Sequence, residues 1–310
     1  MNASAWARPL QQGDRVRLAA ASSALDEAAL SRLEAGISEL HRWGLVVEPH
    51  PEPLRRWGHL AGNDAQRRAD LRDAGEADAA PIPLLACIRG GWGSARLLEP
   101  QRQEPSPWAN APLSAAARWL LGFSDVTSLL WARQAAGLNG GVHGPMLTSL
   151  AAEPDWSRQR LQDLLFGRPL DPLQGETWQG GCGEGPLLVG NLTVATHLLG
   201  TPHLPRLQGA VLVLEDVGEA PYRLDRMLTH WRLCGALQQL AGLGFGYFSG
   251  CDDPDSPCTV EEVLRERTAD LDIPVVAGLP VGHEPGNAAL PLGVRARLDA
   301  SSGQLSLLAD

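Results

Sequence analysis

A serine, a histidine and an acid that follow apolar runs are the residues of this 310-residue chain best suited to chemistry. The serine lies in Leu120-Leu121-Gly122-Phe123-Ser124-Asp125-Val126-Thr127, where an apolar run meets a glycine and then a helical pattern. A tight strand-to-helix turn of this kind lifts a hydroxyl clear of the sheet and aims the next amide, that of Asp125, at any oxyanion formed there. The same letters suit a serine that caps an ordinary helix. Val126 also departs from the G-x-S-x-G pattern by replacing its last glycine. A second turn, Cys87-Ile88-Arg89-Gly90-Gly91-Trp92-Gly93-Ser94, lets backbone amides approach a ligand closely, and those of Gly91 and Trp92 are candidate oxyanion donors. A phosphate loop would need a lysine and a different glycine spacing.

A serine hydroxyl is a poor nucleophile at neutral pH. It needs an imidazole to take its proton and a carboxylate to hold that imidazole in one tautomer. Downstream, Leu212-Val213-Leu214-Glu215-Asp216-Val217-Gly218 ends an apolar strand on two acids, and Gly278-Leu279-Pro280-Val281-Gly282-His283-Glu284 sets a histidine just beyond another. Sequence alone leaves the choice between Glu215 and Asp216 open. Any of eight histidines could be the base, and His143 in Gly141-Val142-His143-Gly144-Pro145 competes most strongly with His283.

These segments need elements to carry them. Arg15–Ala21, Leu45–Val47, Leu84–Ile88 and Arg118–Leu121 read as buried strands, and they alternate with helical patterns at Leu30–Leu40, Asp64–Leu71 and Thr127–Ala136. That alternation predicts an α/β fold with a parallel sheet over about residues 1–150 carrying the serine turn. Residues 151–190 are rich in Pro, Gly, Gln and Trp and read as a connection that could cover the site. A smaller α/β domain with a mixed sheet is expected over 191–310, with strands at Ala210–Leu214 and Pro274–Ala277, a helix at Val260–Ala269 and a terminal hairpin around Ser302-Gly303.

Composition narrows the classes. The net charge of −10 argues against a nucleic-acid partner, because phosphate backbones need a cationic face. Every basic side chain apart from histidine is arginine, so lysine-based Schiff-base chemistry and a Ser–Lys dyad are excluded. Five scattered cysteines without a CxxC pair make a metal site or disulfide framework an unfavoured reading. No apolar run reaches the roughly 20 residues of a membrane span, and the first residues lack a signal-peptide pattern, so the expectation is a cytoplasmic protein.

In this order the motifs resemble the LD-carboxypeptidase family of serine peptidases, which includes murein tetrapeptide carboxypeptidases and microcin-immunity peptidases. The likeness runs from Gly13-Asp14-Arg15-Val16 and Ser22-Ser23 through Leu60-Ala61-Gly62-Asn63-Asp64, the Arg89–Gly93 turn, Gly122–Thr127 and His143-Gly144-Pro145-Met146. It continues through Gly190-Asn191-Leu192, Leu214–Glu219 with Pro221-Tyr222-Arg223, and Gly282-His283 with Asn287 and Leu290–Gly293.

The resemblance implies Ser124, Glu215 and His283 as a catalytic triad divided between two domains. It also implies a homodimer, no metal and no cofactor, and hydrolysis of the L,D amide bond that releases D-alanine from a murein tetrapeptide. A carboxypeptidase must recognise a terminal carboxylate, for which Arg89 and Arg223 are the expected partners. Trp92 stands where the family often has tyrosine, Val189 where it has glycine, and Ala21 where it has proline. A microcin-immunity-type peptidase could use Trp178, in the unfamiliar Trp178–Pro186 stretch, to stack on a base. A muropeptide-binding protein without turnover is the remaining reading.

Overall fold

The computed structural model describes residues 7–71, 82–99 and 118–308. Two sheets carry the fold. The first contains β1 (Arg15–Ala19), β2 (Val46–Glu48), β3 (Leu84–Cys87), β4 (Trp119–Gly122) and β5 (Gly141–His143). These five run parallel, in the order β5-β4-β3-β1-β2. The second contains β6 (Leu173–Gln174), β7 (Glu176–Gln179), β8 (Cys182–Asn191), β9 (Val211–Val217), β10 (Gly242–Ser249) and β11 (Val275–Ala277). A short β12 (Leu290–Pro291) returns to the first sheet, antiparallel to β5, before β13 (Arg295–Asp299) and β14 (Gln304–Leu307) close the second as a hairpin. The second sheet is mixed: β8, β9, β10 and β11 are parallel, and β7, β13, β14 and β6 are antiparallel additions.

The fold is thus α/β, with a mostly parallel first sheet and a mixed second one. Residues 151–190, expected as a connection, contain a helix at Asp155–Leu165 and most of β6, β7 and β8. Pro, Gly and Trp hid those strands. Gly183 and Gly185 lie so close to neighbouring backbone that a Cβ would meet the Ala241 carbonyl at 1.9 Å and the Gly209 carbonyl at 1.8 Å. The glycines here are the condition for strand packing rather than a sign of loop.

One apolar cluster joins residues of both sheets, and each sheet packs a further cluster on its other face. Helix α1 (Glu27–Arg42) covers the first sheet, Asp26 caps it through the Ala29 amide, and Gly36 lets it press on the Leu147 carbonyl, 2.0 Å from where a Cβ would be. α2 (Asp64–Leu71) follows, and α3 (Thr127–Ala135) packs against strands of both sheets. Every residue of α3 from Thr127 to Arg133 is buried, which is the signature of a helix enclosed on all sides. Its Trp131 indole N–H donates to the Val189 carbonyl of β8 at 2.9 Å, and Asn191 N–H donates to Thr127 Oγ1 at 3.0 Å. Whatever precedes α3 is therefore held at the junction of the two sheets, and Ser124 precedes it by three residues. Among the described residues no helix is long and apolar enough to cross a membrane.

Candidate active site

Parallel α/β sheets bind ligands beyond the carboxyl ends of their strands, at the point where the strand order reverses. Here that point lies between β1 and β3, because the chain leaves β1 toward β2 on one side and returns to β3 on the other. The segments beyond both strands meet there. Ser23 N–H donates to the Gly90 carbonyl at 3.3 Å, and Trp92 N–H donates to Ser23 Oγ at 3.0 Å. Gly91 has φ +109°, and a Cβ on it would sit 2.3 Å from Ser23 Oγ, so only glycine fits.

One strand along, β4 delivers Ser124. It is the single non-glycine residue among those described with a left-handed backbone, φ +59°. A capping serine would have an extended backbone and would accept a helix amide. Phe123 instead occupies the extended position before the turn, with no side-chain cap bond, and the capping interpretation fails. Strain of about 1–2 kcal/mol at such a residue persists only where its surroundings over-determine it. Asp125 and Ser94 supply that. Ser94 N–H donates to Asp125 Oδ2 at 2.8 Å, Ser94 Oγ donates to the Asp125 carbonyl at 2.6 Å, and both serine hydroxyls of Ser94 and Ser128 lie 2.6 Å apart. Gly122 is required too, since a Cβ there would meet Val126 at 2.5 Å.

The hydroxyl of Ser124 lies 3.1 Å from His283 Nε2, and His283 Nδ1 lies 2.7 Å from Glu215 Oε2. A carboxylate only accepts, so Nδ1 carries the proton and Nε2 is left to accept from the serine. Glu215 is fully buried and the His283 side chain is 18% exposed. Strand alternation separates the two neighbouring acids. Glu215 faces the histidine, whereas Asp216 faces away and accepts from Asn191 Nδ2 at 2.9 Å and from Thr193 N–H and Oγ1 at 2.9 and 2.8 Å. Asp216 thereby anchors the helix Leu192–His197, and burial pushes its carboxyl up. Opposite Glu215 the register of β10 shifts between Phe245 and Phe248, a bulge that re-aims the strand beside the site.

Burial is the largest influence on His283 and pulls its pKa down. The hydrogen bond and charge of Glu215, helped by Asp216 and Glu284, outweigh it, so the pKa ends above the ordinary 6.5. His143 is the opposite case. It is fully buried on β5, neither ring nitrogen has a partner among the described residues, and burial together with the nearby His283 lowers its pKa to about 3. Its ring stands edge-on to Phe123, centroids 5.7 Å apart, and Phe123 in turn lies 4.8 Å from the His283 ring. His143 is a neutral packing group behind the histidine that faces the serine.

The loop that carries His283 is held by three residues that sequence reasoning did not assign. Asn287 Oδ1 accepts from Gly282 N–H at 3.1 Å, and Ser157 Oγ donates to the Asn287 carbonyl at 2.8 Å. Buried Glu153 accepts from the amides of Gly286 and Asn287 at 2.7 and 3.1 Å. Asn287 was visible only as a matched letter. Glu153 and Ser157 left no pattern in the sequence.

Ser124, His283, Gly91 and Arg89 line one cleft of about 370 Å³, and Arg89 donates to the Ala24 carbonyl at 3.1 Å. Arg223 does not line it. It pairs with Glu219 at 3.3 Å and faces a separate cavity on the helix Pro221–Leu233. Of the amides expected to face an oxyanion, that of Trp92 is engaged by Ser23, and the Trp92 ring turns to His197, centroids 5.9 Å apart. Trp178 packs on Phe245 at 5.7 Å, and the Arg265 guanidinium covers its ring at 4.2 Å. It belongs to the edge of the second sheet and not to the cleft. Among the described residues no group of three His, Cys, Asp or Glu side chains could hold a metal ion.

The likeness to known proteins extends over nearly the whole chain. Residues 16–144 match the LD-carboxypeptidase N-terminal domain and residues 184–298 the LD-carboxypeptidase C-terminal domain. A protein of Synechocystis, provisionally named a carboxypeptidase, is 47% identical over 97% of this chain and 96% of its own. The murein tetrapeptide carboxypeptidase of Pseudomonas aeruginosa is 33% identical over 93% of this chain and 94% of its own. A crystal structure of muramoyltetrapeptide carboxypeptidase from Oxalobacter formigenes superposes with a TM-score of 0.77 at 27% identity, covering 94% of this chain and 97% of that one. MccF in complex with glutamyl sulfamoyl guanosine gives a TM-score of 0.83 at 20% identity, covering 98% of each chain, which is a likeness of fold.

Proposed function

The chain belongs to the LD-carboxypeptidase family, and from that premise we propose that it is a serine peptidase that releases terminal D-alanine from murein tetrapeptides. The observation that carries the reading is the relay from buried Glu215 through His283 to Ser124, with both hydrogen bonds formed and Ser124 and His283 open to one cleft. His283 Nε2 takes the Ser124 proton as Oγ attacks the scissile carbonyl, and Glu215 stabilises the imidazolium that forms. The amides of Gly91 and Asp125 receive the oxyanion, because that of Trp92 already donates to Ser23. His283 then protonates the departing amine of D-alanine. Water attacks the serine ester with the same base, releasing the tripeptide acid and restoring the hydroxyl.

A homodimer in the cytoplasm, free of metal or other cofactor, completes the proposal. The alternative of cleaving aminoacyl-nucleotide-like compounds draws on the likeness to MccF. It gains nothing from Trp178, which is committed to Phe245 and Arg265. Incubation with a murein tetrapeptide, its C-terminal amide and an aminoacyl sulfamoyl adenosine, read by mass spectrometry, decides between them. Release of D-alanine from the tetrapeptide alone is expected, and cleavage of the nucleoside compound alone would replace the reading.

A further inference from the structure

Arg223 was expected to receive the substrate carboxylate and faces another cavity. The cleft around Ser124 contains a different arginine. Arg32 of α1 lines it together with Arg89, and no Asp or Glu among the described residues lines it with them. Two guanidinium groups thus line it without a carboxylate beside them, in a chain of net charge −10, while Glu215 is buried behind His283 and paired with it.

The two arginines are not equivalent. Arg89 spends a donor on the Ala24 carbonyl at 3.1 Å, a contact that pins it to the wall. Arg32 is exposed and has no hydrogen bond or ion pair among the described residues. Its own helix gives it no counter-ion, because the positions three and four residues away on either side are Ala28, Ala29, Ala35 and Gly36. Ala29 also lines the cleft, and the close approach of Gly36 to Leu147 holds α1 against the short helix Leu147–Leu150, whose Thr148 and Ser149 line the cleft as well. The cleft lies where strand order reverses, the place such sheets use for ligands.

We propose that Arg32, with Arg89 behind it, is the group that recognises the free α-carboxylate of the departing amino acid. The proposal rests on the serine-peptidase reading above. Its chemistry is general: a guanidinium fork without a resident partner pairs with both oxygens of a carboxylate, whereas a C-terminal amide offers one acceptor and no charge. Selectivity for a free C-terminus then resides in α1, away from the helix that holds Arg223.

Labelling of Ser124 by an uncharged fluorophosphonate, slowed by N-acetyl-D-alanine or by N-acetyl-D-alanine amide, tests it without the natural peptide. Each protein's labelling rate without protectant serves as its own reference, and its melting temperature checks folding. The acid should protect the wild type at concentrations at least about 10-fold below the amide, a tenfold ratio being what a modest charge-assisted pair supplies. Arg32→Ala should raise the half-protecting concentration of the acid about 10-fold and leave that of the amide in place, with Arg32→Lys between. Equal protection by acid and amide, or an Arg32→Ala protein protected like the wild type, overturns the assignment. A wild type that is never labelled overturns the serine-peptidase reading beneath it, which is a different result.

Discussion

Replacing His143 with methionine should make the protein more resistant to acid relative to the wild type. In the folded chain this imidazole has no partner among the described residues and a pKa of about 3, against an ordinary value of 6.5. A base whose pKa is depressed by folding leaves stability unaffected while both states are neutral and lowers it once the unfolded state alone is protonated. As pH falls below 6.5 the unfolded histidine takes a proton that the folded one refuses, and stability is lost until pH reaches about 3. Between about pH 7.5 and about pH 4.5 that single group costs about 2.7 kcal/mol, two decades of proton uptake at about 1.36 kcal/mol each. Moving the folded pKa by one unit hardly alters the figure, because both values stay below the lower pH. Methionine fills the space beside Phe123 with a flexible apolar chain and does not titrate. Urea unfolding of both proteins at the two pH values, compared as a difference, isolates the effect from all other groups. A stability gap that grows in favour of the variant by about 2–3 kcal/mol at the lower pH is expected. Parallel loss in the two proteins would refute the buried neutral histidine.

Glu215→Gln should lower kcat/KM by about 10³-fold or more, since the amide no longer holds the Nδ1–H tautomer or the cation. Because the His283 pKa is raised, the wild-type acidic limb of kcat/KM should lie above pH 6.5, with activity lost as pH falls through it; in Glu215→Gln the limb should move to lower pH, which a stopped-time pH series reads. Asn287→Ala frees the Gly282 amide and should cost about 1–3 kcal/mol in a thermal melt, with kcat falling more than KM rises because the His283 loop loses its tie. Gly91→Ala places a Cβ 2.3 Å from Ser23 Oγ at φ +109°, and reduced turnover in a protein destabilised by about 1–2 kcal/mol, measured by steady-state kinetics beside urea unfolding, is expected.

Much of the first sheet was legible because its strands are short apolar runs separated by helical repeats, and α2 falls at the residues expected, Asp64–Leu71. The second sheet was harder. β10 reads Gly-Leu-Gly-Phe-Gly, a pattern that suggests a turn, yet its glycines exist because Gly246 presses on the Val281 carbonyl, 2.2 Å from a would-be Cβ. Such close approach is a property of the segment that follows β11, distant in sequence, so no local rule could find it. Ser124, Glu215 and His283 stood out because each follows an apolar strand. The resemblance, not the residues themselves, separated His283 from His143 and Glu215 from Asp216. Arg32 was invisible for the opposite reason: an arginine on an amphipathic helix is the commonest of surface residues, and only tertiary packing of α1 brings it to the serine. Arg223 was misleading because its motif lies near Glu215 in sequence while its helix faces another cavity.

The central claim is that Ser124, activated by His283, is the nucleophile. Release of D-alanine from a murein tetrapeptide by the wild type and by Ser124→Ala, measured side by side on proteins of matched melting behaviour, tests it most directly. The wild type should turn the peptide over while the folded variant stays at the background rate. Sustained turnover by a well-folded Ser124→Ala protein would contradict the account.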